Sequence, residues 1–265
     1  MKKSMFNLLF FLLLGCSSFS NSNDIKVIEM YSKGEFFGGE KKSPSKYSII
    51  KFEKNVRIVF KDNDRLYLVP KIKIYTKDVL NEKGQVIDNI VVKQDTVMLI
   101  YAMMSGNKKG LLYTLENFRN EAPTFFEAEE TVQDLTISND DLKTFSYQLG
   151  TPSQVIKKNS EMVQKFAIKK TSIADADSIY RFYDSKLNDI VFSFSEQLDK
   201  ENESKLFKTV FVYGKISKEK SMVNLEIPRR ETVYKIKRIY NFDIDLYKEI
   251  FEKFSTDIKK LDLKK

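Results

Sequence analysis

The stretch Thr96-Val97-Met98-Leu99-Ile100-Tyr101-Ala102-Met103-Met104 decides how the chain must be read. It is apolar at almost every position and rich in β-branched and aromatic side chains. Nine residues are too few to span a bilayer as a helix, so the run predicts a central strand buried on both faces. Ser105-Gly106-Asn107 then turns the chain, and residues 111–115 return as a hairpin partner. Upstream, Pro70-Lys71-Ile72-Lys73-Ile74-Tyr75 alternates apolar and charged, which implies a strand with one buried and one wet face. Residues 47–52, 56–60, 66–69 and 86–92 read as further strands, with Asp62-Asn63-Asp64 as a hairpin turn between two of them.

The middle of the chain changes period. Leu142, Phe145 and Leu149 recur at helical spacing, Ser138 with Asp141 resembles a capping box, and Gly150 suits the residue after a helix. Thr151-Pro152 then predicts a second helix, with Val155, Ile156, Met162, Val163 and Phe166 as its stripe. Beyond it, residues 179–183, 190–194, 206–216, 222–227 and 232–242 read as strands, with a hairpin loop over 184–189. The chain closes on an amphipathic helix. Tyr247, Ile250, Phe251, Phe254, Ile258 and Leu261 share one face, Asp243 and Asp245 stand at its start, and Lys259 and Lys260 at its end. About ten strands with short loops and no βαβ alternation predict an α+β fold. It would be a largely antiparallel sheet, with a short helical pair in the middle and a C-terminal amphipathic helix. Residues 25–265 form this domain, with a possible sub-boundary near 170.

Composition limits the chemistry. The chain has 265 residues, 42% hydrophobic and 31% charged, which is the balance of a globular domain with a core of its own. It contains no His, no Trp and one Cys. A His-based triad, a His-ligated zinc and an intrachain disulfide are therefore excluded. No Walker or GxGxxG loop occurs, and no cofactor is implied. Ser-x-x-Lys occurs at Ser43–Lys46 and Ser217–Lys220, both in loop-like contexts without a following helix. Paired carboxylates for glycoside hydrolysis are not singled out by any context. Between Glu116 and Asp141 acidic residues crowd around Glu127, Glu129, Glu130 and Asp134. Their spacing fits no calcium loop, so a solvated loop or strand edge is the expectation.

The N-terminus carries the sharpest signal. Lys2 and Lys3 precede a short apolar run, MFNLLFFLLL over residues 5–14, followed by Gly15-Cys16-Ser17-Ser18. Leu13-Leu14-Gly15-Cys16 resembles the lipobox of bacterial lipoproteins. The resemblance implies a signal peptide over residues 1–15 and diacylglyceryl transfer to the thiol of Cys16, which becomes the first residue. It gives the chain's single thiol a use. One acyl chain binds a membrane reversibly, whereas two or three hold firmly. Residues 16–24 read as a lipidated Cys and polar tether. From Cys16 the tether would reach roughly 26–29 Å. The same resemblance, with Ser17 after the Cys, favours the outer membrane where an envelope has two.

The formal charge is +8, and loss of Lys2 and Lys3 with the leader leaves +6. Arg229, Arg230, Lys235, Lys237 and Arg238 concentrate basic groups on one predicted hairpin, a candidate patch for an anionic partner. The expectation is therefore an exported, lipid-anchored, non-catalytic module that binds an envelope protein, anionic lipid or cell-wall polymer. It carries no nucleic-acid motif. A carrier or sensor of a hydrophobic ligand such as a lipid is the alternative, and an envelope-polymer hydrolase the third.

Overall fold

A computed structural model describes residues 25–40, 43–136, 149–170, 175–221 and 224–261. The chain enters at β1 (Lys26–Glu40) and meanders through β2 (Ser43–Lys61), β3 (Asp64–Leu80), β4 (Val86–Met104), β5 (Lys109–Thr114) and β6 (Thr124–Glu127). Helix α1 (Ala128–Leu135) follows. A second meander comprises β7 (Gln154–Lys158), β8 (Glu161–Ala167), β9 (Ser178–Asp184), α2 (Glu196–Glu201), β10 (Lys205–Tyr213) and β11 (Arg230–Ile239). Helix α3 (Ile244–Leu261) closes the chain.

Among the described residues, the eleven named strands form one sheet in the order β6-β5-β4-β3-β2-β1-β11-β10-β9-β8-β7. Every pairing is antiparallel. The chain thus starts in the middle of the sheet and builds outward to one edge. It then crosses to the other edge and builds back until β11 pairs with β1.

Period-two alternation splits the core between the two faces. On one face, Val27, Val59, Leu66, Leu68, Ile100 and Leu111 pack under Tyr247, Ile250, Phe251, Phe254 and Ile258 of α3. Five of the six predicted stripe residues of the C-terminal helix are buried, at about 1.5–3 kcal/mol for each large side chain, whereas Leu261 at its end is exposed. Asp243 accepts a 3.0 Å bond from the Leu246 backbone N–H and so caps the start of α3. On the other face, Ile28, Met30, Ile58 and Tyr67 meet Tyr183, Leu206 and Ile236 from the second meander. Residues 96–104 serve both faces: Ile100 and Ala102 lie under α3, and Met103 lies in the opposite cluster.

The α+β expectation gives way to a mostly antiparallel β fold with one long C-terminal helix. The predicted middle helical pair is not seen. Its first member, over Leu142 and Phe145, lies outside the described residues. Its second is the β7–β8 hairpin. Val155-Ile156 and Met162-Val163 satisfy either period, and the turn decides: Asn159 takes φ +54°, which ends a strand and reverses it. Neither face of β7 is covered, so no helical stripe was ever needed there.

Other predicted strands change character. Residues 190–194 are irregular, with Ile190 and Phe194 buried in the core. Asp184 does not open a hairpin loop to them. Its side chain accepts from the Lys186 N–H and caps a short 3-10 turn, while β9 pairs with β8 and β10. Of residues 222–227, Ile227 makes only an isolated bridge to Ile216. The acidic run through Glu127 and Asp134 forms the end of β6 and helix α1.

Candidate functional site

Strand β11 decides where the predicted basic patch goes. Tyr234 and Ile236 are buried in the core, so Lys235 and Lys237 must point to the opposite face, where both are exposed. Arg230 and Arg238 share the Tyr234 side of the strand by the same alternation. Arg238 is paired with Asp189, which also holds Lys26 at 3.4 Å. The Arg230 guanidinium lies 5.4 Å from the Tyr213 ring. Arg229 is bound to Glu231 at 2.6 Å. The five residues therefore form no single patch. Three are engaged locally, and Lys235 and Lys237 stand apart from them.

What the structure assembles around Lys235 is a different surface. Helix α3 buries sheet residues of β1 to β5, with Ile239 at the end of β11 packed at the margin of the same cluster. Over the second meander that face lacks a helix among the described residues. Across it runs a row in strict register: Val163, Phe182, Lys208, Lys235 and Tyr31, one from each of β8, β9, β10, β11 and β1. The adjacent row is Lys165, Tyr180, Val210, Val233 and Lys33. The Lys208 ammonium sits 4.6 Å from the Phe182 ring centre, and the Lys165 ammonium 5.6 Å from that of Tyr180. Both are cation–π contacts that hold the charge over an aromatic face without neutralising it.

Lys208 and Lys235 stand directly opposite one another on neighbouring strands. A like-charge pair at that position costs stability. No ion pair joins Lys33, Lys165, Lys208, Lys235 or Lys237 to an acid among the described residues. The nearest acids in register are Glu29, opposite Lys237, and Glu53, opposite Lys33. At the edge of this face, Lys33 also lines a cleft of about 660 Å³ of mixed charge, where Lys51 is paired with Glu35, Arg229 with Glu231, and Glu53 stands opposite Lys33. Cations on a flat aromatic bed, lacking internal counter-ions, can engage phosphate, sulfate or carboxylate groups and the apolar surface beside them.

The surface has no contiguous sequence signature. Lys33, Lys165 and Lys208 come from strands far apart in the chain, and only the register aligns them. The alternation within each strand carried the usable signal: Lys208 beside buried Thr209, and Lys235 between buried Tyr234 and Ile236.

The remaining sequence candidates have other partners. Ser217 bonds Glu219, and the pairing holds that carboxyl below its usual range. Ser43 and Lys46 belong to β2. Asp134 accepts a contact from Lys54 through its backbone carbonyl. Among the described residues no group of three or more Cys, Asp or Glu side chains is placed to hold a metal ion.

No protein-family model, curated protein or solved structure matches this chain. The functional reading therefore rests on geometry and chemistry.

Proposed function

We propose that this protein is an exported, lipid-anchored module that binds an anionic envelope polymer through the open face of β8, β9, β10, β11 and β1. The observation that carries the reading is the Lys208–Lys235 opposition. A fold gains nothing from two uncompensated ammonium groups facing each other across a ladder, whereas an anion spanning both gains two contacts at once. Phe182 and Tyr180 support the charges and offer flat apolar contact to the polymer. The lipobox-like Leu13-Leu14-Gly15-Cys16 supports the anchor, and the tether lets the domain sample the space within a few nanometres of the membrane. Tethering would then raise the local concentration of the face at its partner. The role is binding, with no catalytic group assigned.

The carrier reading gains less. The clefts have charged walls, such as the one of about 500 Å³ with Arg181 and Glu201 and the one of about 750 Å³ with Arg65 and Glu130.

The test is co-sedimentation of the full-length protein with anionic and with zwitterionic vesicles, alongside retention on an immobilised polyanion. Lys208→Gln with Lys235→Gln should lower polyanion retention about tenfold or more and flatten its salt dependence. Unchanged retention would sink the face as the binding site. Separately, Cys16→Ser should abolish acyl labelling, and labelling that persists would remove the anchor from the proposal.

A further inference from the structure

The start of β1, the end of β2, the start of β3 and the end of β11 lie side by side at one end of the sheet. Lys26 stands opposite Phe60, Phe60 opposite Arg65, and Val27 opposite Ile239. Ile25, the first described residue, is buried there. It lines a cleft of about 260 Å³ together with Ile190, Val191, Tyr240 and Phe242. The chain that precedes Ile25 therefore joins the domain at this end.

The same end shows apolar surface to solvent. Tyr240 is 76% exposed, Val191 56%, and Ile244, which opens α3, 41%. Beside them Asp189 pairs with Lys26 and Arg238, and the Arg238 guanidinium lies 5.9 Å from the Tyr240 ring centre. A tyrosine, aliphatic side chains and long cations gathered together suit the headgroup boundary of a bilayer, where one end of each group is apolar and the other wet. A second exposed apolar group lies far away. β2 pairs with β3 only as far as Leu68, and β5 with β4 only from Leu99, so residues 69–80 and 86–97 form a two-stranded β3–β4 arm. Ile72, Ile74 and Val91 are exposed on it. β3 leads away from Arg65, and the arm's tip lies about 50 Å along the strand.

We propose that Val191, Tyr240 and Ile244 form a membrane-seating surface, which rests on the lipid headgroups of the bilayer that holds Cys16. The inference depends on the lipid-anchored reading above. The attachment point selects this surface over the arm. Residues 16–24 join Cys16 to Ile25, a reach of about 30 Å at full extension. With the Ile25 end held that close, contact through Tyr240 needs no slack in the tether. Contact through the arm would need the whole sheet to lie down. Seating also sets an orientation. Lys235 stands five residues before Tyr240, about 17 Å along β11, so the Lys208–Lys235 pair is raised clear of the headgroups toward a polymer. The arm then leads away from the bilayer.

The chain has no Trp, so a single introduced indole reports from one place. Tyr240→Trp and Val191→Trp are made separately in the full-length protein, with Tyr75→Trp on the arm as the distant probe. All three side chains are exposed, so folding should survive, and thermal unfolding checks that it does. Each variant is reconstituted into vesicles of phosphatidylethanolamine and phosphatidylglycerol that carry bromine high on their acyl chains. The indoles at positions 240 and 191 should shift to the blue and lose emission to the bromines, and the indole at position 75 should do neither. Acylated, vesicle-bound protein in which position 240 or 191 stays unquenched overturns the seating surface and leaves the anchor standing. Quenching at position 75 as strong as at 240 overturns it too, because the sheet then lies along the bilayer. Absence of acyl labelling at Cys16 removes the anchor and the seat together.

Discussion

The hydroxyl of Tyr113 on β5 donates to a carboxylate oxygen of Asp257 on α3 at 3.2 Å, within the apolar layer that joins that helix to the sheet. Asp257 is 5% exposed and accepts a second bond, 2.6 Å, from Lys253 one turn earlier. Burial and then the nearby carboxylate push the Tyr113 phenol well above its ordinary range, so it remains a donor throughout the accessible pH range. Tyr113→Phe should cost about 1–2 kcal/mol and Asp257→Ala about 2–4 kcal/mol, because the second change strands a buried hydroxyl and an ammonium together. Urea unfolding measures both, and the double variant should cost less than the sum.

Lys208 and Lys235 predict a split between stability and binding. Lys235→Gln removes a like-charge neighbour and should stabilise the isolated protein by about 0.2–1 kcal/mol. The same change should weaken polyanion retention. Thermal unfolding and retention measured on one sample decide whether the two move in opposite directions.

Asp189 predicts a feature of acid stability. Burial alone would raise its carboxyl, but the hydrogen bond from Arg238, with Lys26 behind it, outweighs burial and holds it below the usual 3.8. A carboxyl lowered in the folded state stabilises the fold fully above its unfolded value and loses that contribution as pH falls through the folded one. Asp189→Asn should therefore flatten the loss of thermal stability below about pH 4 and change little at neutrality beyond the lost pair. The side chain is half exposed, so the effect should stay under about 1 kcal/mol.

Gly110 and Gly84 predict unequal costs for the same substitution. A Cβ on Gly110 would run into the Phe126 ring and approach the Ala102 carbonyl oxygen at 2.7 Å, where β4, β5 and β6 lie closest. Gly110→Ala should cost about 1–3 kcal/mol. Gly84, at the tip of the β3–β4 arm, has φ +74° and open space around it. Gly84→Ala should carry only the cost of the left-handed backbone, about 1 kcal/mol. Equal melting temperatures for the two variants would contradict the packing at Gly110.

Reading from the sequence succeeded where burial leaves a local mark. Residues 96–104 read as a strand because all but Thr96 are apolar, with burial on both faces realised at Ile100, Ala102 and Met103, and α3 read as a helix because six apolar side chains recur on one face. It failed where the mark is ambiguous or distant. Residues 26–40 carry Ser32, Lys33, Gly34 and Glu35 among their apolar positions, so the strand that centres the sheet went unread. Val155 to Phe166 suit two periods, and the left-handed Asn159 chose between them. The patch named from Arg229 to Arg238 came apart because alternation sends neighbours on a strand to opposite faces.

The sequence by itself determined the local grammar: antiparallel strands with tight turns, a C-terminal helix with one apolar face, and the absence of imidazole chemistry. It determined these because side-chain period and residue type act within a few positions of the chain. Only the tertiary structure decided that β1 would pair with β11, that Lys33, Lys165 and Lys208 would join Lys235, and that α3 would stop short of them. Those outcomes depend on register between strands separated by up to some two hundred residues, and on which rows of a twisted sheet one helix can reach.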